Sequence, residues 1–128
     1  MTPGQNGSIV NTTPLIPLTE ADFDAELART AEPLLVGFWA ESCGPCRALV
    51  PVLEQIAAEH AGRLRVATVR LDDNPGLARR FRIMALPTVI MFIGGREAKR
   101  ITEATTKAAL RHELASTGTS PSWWGLVE

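Results

Sequence analysis

The feature that most constrains the fold is an apolar run from Leu34 to Ala40, followed by an amphipathic segment and a second apolar run. The first run follows Pro33 and is too short for a helix that spans a core, so it predicts a strand buried on both faces. Between Gly44 and His60, apolar residues recur at helical spacing, which predicts an amphipathic helix. Leu64 to Leu71 predicts a second strand. Strand, helix and strand in this order predict a βαβ unit with two parallel strands.

The other patterns place this unit inside one α/β domain. We expect residues 1–17 to form a flexible extension, in which Leu15 and Ile16 dock as a short edge strand. Residues 18–116 are then the domain, and residues 117–128 form a polar tail with Trp123-Trp124 at its tip. Within the domain we predict a short helix over about 20–29, a helical turn near 77–81, strands over 88–93 and 96–101, and a closing helix over 106–115.

The composition excludes several classes of protein. The chain has 128 residues, 13 Lys and Arg, 14 Asp and Glu, and a net charge of −1. This balance is typical of one globular domain and gives no field that would attract nucleic acid. No apolar run approaches the roughly 20 residues of a membrane-spanning helix, and the first residues lack the pattern of a secretory signal. We therefore expect a cytoplasmic protein that binds neither nucleic acid nor membrane.

The two cysteines carry the chemical information of the sequence. Cys43-Gly44-Pro45-Cys46 lies where the first predicted strand ends and the amphipathic helix begins. A thiol at a helix N-terminus faces unpaired backbone amides that stabilise its thiolate, which is the nucleophilic form. Cys46 follows one helical turn later, close enough to attack a mixed disulfide formed by Cys43. Pro45 fits an early helix position because the donor that it lacks has no partner there.

Two other interpretations of the pair are weaker, although a lone CxxC motif does not exclude them. The cysteines could be inert core residues, or they could be half of a zinc site. Structural zinc normally takes four ligands, and the chain has no other cysteine and only two histidines, His60 and His112. We therefore predict no metal site.

At this point the sequence resembles the thioredoxin family, for which a CxxC motif beside a βαβ pattern is typical. The resemblance extends in register from about residue 19 to residue 116. The segments that carry it are Phe38-Trp39-Ala40-Glu41, Cys43-Gly44-Pro45-Cys46-Arg47, Pro51, Asp72-Asp73-Asn74-Pro75 and Leu86-Pro87-Thr88.

The resemblance implies an α/β fold with a central mixed β-sheet and helices on both faces. It also implies that the strand from Thr88 runs antiparallel to its neighbour. The Leu86-Pro87 peptide bond would be cis and would face the cysteines, turning the Leu86 backbone towards an extended substrate.

The activity implied is that of a protein-disulfide reductase. Cys43 would be the nucleophile and Cys46 the resolving cysteine, while Gly44 and Pro45 would tune the redox chemistry. Substrates would be protein disulfides, electrons would come from a thioredoxin reductase, and no bound cofactor is required.

Four positions depart from the family pattern. Gly37 stands where the family usually has a buried aspartate beneath the second cysteine, and Thr68 replaces a nearby lysine. Loss of both partners of a buried ion pair can be neutral for stability, so we expect its effect to be on the deprotonation of Cys46. Ser42, which we assign to the substrate-binding site together with Leu86, Pro87 and Glu103, replaces a tryptophan. This replacement removes an aromatic lid and supplies a candidate helix N-cap. Glu103 replaces a glycine beside the substrate groove, where a carboxylate would oppose thiolate formation.

These departures and the Trp123-Trp124 tail keep a second class of function open, a thioredoxin-fold adaptor or holdase with weak redox turnover. A disulfide isomerase or oxidase is a third interpretation. It is disfavoured because Gly-Pro between the cysteines resembles the reducing members of the superfamily.

Overall fold

The computed structural model describes residues 15–29, 31–102, 104 and 106–115. In these ranges five strands form one mixed sheet in the order β1-β3-β2-β4-β5. The strands are β1 (Ile16–Pro17), β2 (Leu34–Trp39), β3 (Arg65–Arg70), β4 (Thr88–Ile93) and β5 (Arg96–Thr102). The helices are α1 (Phe23–Leu27), α2 (Gly44–Glu59), α3 (Pro75–Arg80) and α4 (Lys107–Ala115).

The predicted βαβ unit forms the centre of the sheet. Strands β2 and β3 are parallel along their whole length, and α2 connects them. Strand β4 pairs with the other side of β2 in the antiparallel sense. Gly94 and Gly95 have positive φ angles of 63° and 82°, the conformation that a tight hairpin between β4 and β5 requires. The mixed sheet expected from the resemblance is thus confirmed.

Alternation along the strands gives the sheet two apolar faces, and helices cover both. In β2, Leu35 contributes to one core, while Leu34, Val36 and Phe38 contribute to the other. The first core receives residues of α2 and α4, such as Leu53 and Leu110. The second core receives Phe23 of α1 and Leu77 of α3.

Helix α1 begins later than the sequence predicts. The Asp22 carboxylate accepts a hydrogen bond from the Thr19 amide (2.7 Å), and the Phe23 amide donates to the Thr19 carbonyl (3.0 Å). These bonds form a turn over residues 19–22, so the helix starts at Phe23. The predicted edge strand is present as β1, which pairs with β3. Residues 1–14 and the tail with Trp123-Trp124 lie outside the described residues.

Candidate active site

Cys43 lies where the sheet meets the first turn of α2. A turn closed by a hydrogen bond from the Cys43 amide to the Ala40 carbonyl (3.1 Å) connects β2 to the helix. Cys43 is the N-cap residue of α2, and its Sγ accepts a hydrogen bond from the Cys46 amide (3.1 Å). The sulfur therefore occupies the position at which amides at a helix N-terminus stabilise negative charge.

Ser42 does not occupy the N-cap position that its residue type suggests. The turn from Ala40 to Cys43 places residue 43, with φ −89° and ψ 107°, immediately before the helix. Ser42 is exposed one residue earlier. The prediction of Ser42 as the N-cap was wrong because the geometry of the turn, rather than the usual preference for a hydroxyl, sets the cap.

Cys43 and Cys46 form a disulfide with their Cα atoms 5.4 Å apart. The two sulfur-bearing residues differ in exposure, since Cys43 is half-buried and Cys46 is fully buried. A partner can therefore approach the disulfide from the side of Cys43. Within the described ranges no group of three or more His, Cys, Asp and Glu residues is placed to hold a metal ion.

The two residues between the cysteines are exposed. Pro45 lies in the first turn of α2, where its missing donor costs no intrahelical bond. A Cβ atom added at Gly44 would meet no atom within 4 Å, so packing does not require a glycine there. The glycine leaves the backbone beside Cys43 open to an approaching chain.

The peptide bond between Leu86 and Pro87 is cis, as the resemblance implies. The register of β2 and β4 pairs Phe38 with Thr88, which places Pro87 at the end of β2 that leads to Cys43. The Thr88 hydroxyl donates a hydrogen bond to the Ala85 carbonyl (2.5 Å) and so closes the loop around the Leu86-Pro87 bond. The loop and the disulfide thus lie at the same end of the two central strands, β2 and β4.

Gly37 and Thr68 are direct neighbours in the parallel pair of β2 and β3. A Cβ atom at Gly37 would lie 2.6 Å from Cδ1 of Leu53 in α2, so the space of the family's aspartate is filled by leucine. Thr68 lines a cavity of about 240 Å³ that also reaches Leu18 and Trp39. The two departures therefore have different consequences, close packing at one position and open space at the other.

An arginine that the sequence analysis overlooked organises the charges beside the active-site turn. Arg70 pairs with Asp73 (2.8 Å), Asp72 (3.5 Å) and Glu41 (3.6 Å). The hydrogen bond to Asp73 and the nearby carboxylates raise the pKa of Arg70. Its guanidinium also lies 5.8 Å from the centre of the Trp39 ring. The available signal was an arginine at the end of an apolar strand, directly before two aspartates.

The Asp72 carboxylate also accepts a hydrogen bond from the Glu41 amide (2.8 Å), which ties the turn before Cys43 to the loop after β3. Glu103, which the resemblance places beside the groove, lies outside the described residues. No described helix has the length and apolar character needed to cross a bilayer.

Comparison with known proteins agrees with this geometry. The thioredoxin family model matches residues 14–116. A thioredoxin of Mycobacterium tuberculosis is 46% identical over 100 residues, which cover 78% of this chain and 86% of that protein. A thioredoxin of Alicyclobacillus acidocaldarius is 43% identical over 98 residues, which cover 77% and 92%.

A bifunctional thioredoxin reductase/thioredoxin of Mycobacterium leprae is 43% identical over 115 residues, which cover 90% of this chain and 24% of that protein. This chain thus spans about a quarter of that relative's length. The disulfide at the N-terminus of α2, the cis-proline loop beside it and these similarities lead to one conclusion: the chain belongs to the thioredoxin family and is a thiol-disulfide oxidoreductase.

Proposed function

We propose that the chain reduces disulfides of protein clients, with Cys43 as the attacking residue and Cys46 as the resolving residue. The observation that carries this assignment is the difference in exposure within one disulfide, since Cys43 is half-buried at the helix N-terminus and Cys46 is fully buried. In the reduced protein, the helix amides favour the thiolate of Cys43, the sulfur that a client can reach.

The reaction proceeds in two exchanges. The Cys43 thiolate attacks one sulfur of the client disulfide, so a mixed disulfide forms and the other client sulfur leaves as a thiolate. Cys46 then loses its proton and attacks the Cys43 sulfur. The Cys43–Cys46 disulfide forms, the second client sulfur leaves, and two electrons have passed to the client.

The cis-proline loop is the proposed site for the client backbone. Pro87 lies at the same end of the central strands as Cys43, and the half-buried Leu86 precedes it. An extended client segment would pair with the Leu86 backbone as an added strand. This pairing would hold the client disulfide in position without requiring one particular client sequence.

We further propose a thioredoxin reductase as electron donor and a role in electron transport and redox homeostasis in the cytoplasm. The relative from Mycobacterium leprae, whose name joins a reductase and a thioredoxin, supports this choice of donor.

Trapping of the mixed disulfide tests the assignment of the two cysteines. We expect Cys46→Ser to accumulate a covalent complex with a disulfide-bonded client, because the resolving sulfur is missing, whereas Cys43→Ser accumulates none. Non-reducing electrophoresis and mass spectrometry of the linked residue measure both. A complex formed through Cys46 in Cys43→Ser would reverse the roles.

Steady turnover of the wild type with a thioredoxin reductase separates a reductase from an adaptor, which would bind the client without turnover.

A further inference from the structure

The loop before the cis-proline carries an exposed apolar side chain beside an open cavity. Met84 is 90% exposed, and within the described ranges it is the large apolar residue that stands out in solvent. The adjoining cavity has a volume of about 590 Å³ and is lined by Ala78, Arg79, Arg82, Ile83 and Met84. We call these five residues the basic face.

The two arginines of the basic face have no carboxylate partner among the described residues. Neighbouring arginines do have one: Arg80 pairs with Asp24 (2.8 Å) and Arg100 pairs with Glu97 (2.9 Å). The charges of Arg80 and Arg100 are therefore balanced by carboxylates, whereas those of Arg79 and Arg82 beside the cavity are not. An unbalanced pair of guanidinium groups is suited to carboxylates from another chain.

Arg82 is held in a backbone conformation that arginine rarely adopts. Its φ angle is 52°, in the left-handed region that favours glycine or asparagine. The Ile83 amide donates to the Ala78 carbonyl (2.9 Å), and the Arg100 guanidinium donates to the Arg82 carbonyl (3.4 Å). These two hydrogen bonds hold the loop in this conformation. The backbone preference of arginine does not explain why an arginine occupies the position.

The basic face lies close along the chain to the proposed site for the client backbone. Met84 precedes Leu86 by two residues, so their Cα atoms lie at most roughly 7 Å apart. A client segment paired with Leu86 would therefore reach Met84 and the cavity with its next side chains. Methionine adapts to apolar groups of different shape, which is useful at a surface that accepts more than one sequence.

We propose that the basic face is a second docking surface for polypeptide clients that carry carboxylates around an apolar side chain next to the disulfide. The proposal rests on the proposed function and specifies which clients that function prefers. The apolar side chain would lie against Met84 and Ile83, and the carboxylates would pair with Arg79 and Arg82.

The test uses two disulfide-bonded peptides of equal length, one with glutamates and one with lysines beside the same apolar residue. The variant Arg79→Ser/Arg82→Asn removes both charges, and asparagine tolerates the left-handed backbone. We expect its KM for the glutamate peptide to rise about fivefold, because two exposed ion pairs are lost, with kcat unchanged. The wild type should prefer the glutamate peptide, and that preference should shrink with added salt.

Two further variants serve as comparisons. Met84→Ser should raise the KM for both peptides, since it removes the apolar contact and leaves the charges in place. Arg96→Ser removes one positive charge from an exposed position on β5, and we expect it to leave both KM values unchanged. Circular dichroism confirms that each variant is folded.

The outcomes separate this proposal from the one on which it rests. Failure of the wild type to reduce neutral hydroxyethyl disulfide would contradict the proposed function and this proposal with it. Normal reduction of that compound, with equal KM values for the two peptides at low salt, would overturn the basic face alone. A defect confined to reduction of the chain by its reductase would also overturn it, since the occupant would then be the reductase.

Discussion

At Gly37 in β2, the side chain of Leu53 occupies the space that the family usually gives to an aspartate. A Cβ atom there would lie 2.6 Å from Cδ1 of Leu53 and 3.6 Å from Cδ2 of Leu49, and both leucines are buried. The absence of a carboxylate is therefore accompanied by tight apolar packing. Reversal of this substitution is expected to affect stability and chemistry in opposite directions.

We expect Gly37→Asp to destabilise the protein by about 2–4 kcal/mol, because Leu53 must move and a carboxyl group enters an apolar layer. The same carboxyl group is expected to accelerate resolution of the mixed disulfide by accepting the proton of Cys46. Urea unfolding and single-turnover release of a trapped client measure the two effects.

Two substitutions at the same position separate the causes. Gly37→Ala adds only the Cβ atom and should lose about 1–2 kcal/mol of stability, with unchanged release kinetics. Gly37→Asn adds a side chain of the same shape as aspartate that does not titrate in this range. Equal release rates for Gly37→Asn and Gly37→Asp would show that the proton acceptor has no role.

At the scale of the elements, Arg70 connects the end of β3 to the turn that precedes Cys43. Arg70 pairs with one carboxylate in that turn, Glu41, and with two in the loop after β3, Asp72 and Asp73. Without the guanidinium, three carboxylates would remain unbalanced around the turn that leads to Cys43, and we expect them to oppose its thiolate.

We expect Arg70→Gln to slow alkylation of Cys43 at pH 6.5 about twofold to threefold in low salt and to shift the midpoint of the pH–rate profile upward. Arg70→Lys keeps the charge and should restore the profile. Arg80→Gln is the control, since it removes the same charge from the pair with Asp24. If Arg70→Gln leaves the pH–rate profile of alkylation unchanged and only lowers the melting temperature, Arg70 has a structural role alone.

The elements themselves could be predicted well where the pattern is local. Apolar runs predicted β2 and β4, and helical spacing predicted α2 to within one residue of its C-terminal end. Contacts between distant segments could not be predicted. Arg65 shows this most clearly, since it pairs with Glu26 (2.5 Å), a residue 39 positions away.

The candidate site also combines features that a local pattern predicts with features that it does not. The cysteine pair and its place at a helix N-terminus follow from spacing alone, whereas the cis bond before Pro87 was implied only by the family resemblance. The basic face around Met84 was missed, because arginines scattered along a sequence are typical of a solvated surface. Only the fold shows which of those arginines lack a carboxylate.

At the scale of the whole molecule, the junction of α2 and α4 is expected to limit stability in acid. A hydrogen bond from Lys107, a second from Arg111 and the positive charges of both side chains lower the pKa of Glu59. Burial lowers the pKa of the adjacent His60, and Arg111, Arg63 and Lys107 act in the same direction against the opposing charge of Glu59. Both groups bind more protons in the unfolded chain than in the folded protein.

We therefore expect the free energy of unfolding to fall in two stages as the pH decreases. The His60 contribution is complete above the ordinary pKa of 6.5 and is lost as the pH falls below it. The Glu59 contribution is complete above 4.5 and is lost at lower pH. Urea unfolding between pH 8 and pH 3 measures both stages. His60→Gln should remove the first stage and leave the second, and an unchanged slope between pH 7 and pH 5 in this variant would contradict the assignment.

The order of the strands has a consequence for self-association. Strand β1 lies at one edge of the sheet, and the Leu18 amide points inward to the Thr68 carbonyl. The nitrogen of Pro17, one residue earlier, therefore points outward, and proline has no hydrogen to donate. At the opposite edge, β5 carries the charged residues Arg96, Glu97, Lys99 and Arg100. Among the described strands, neither edge of the sheet is therefore suited to pairing with a strand of another copy. We expect this arrangement to protect the protein from polymerising through its own sheet.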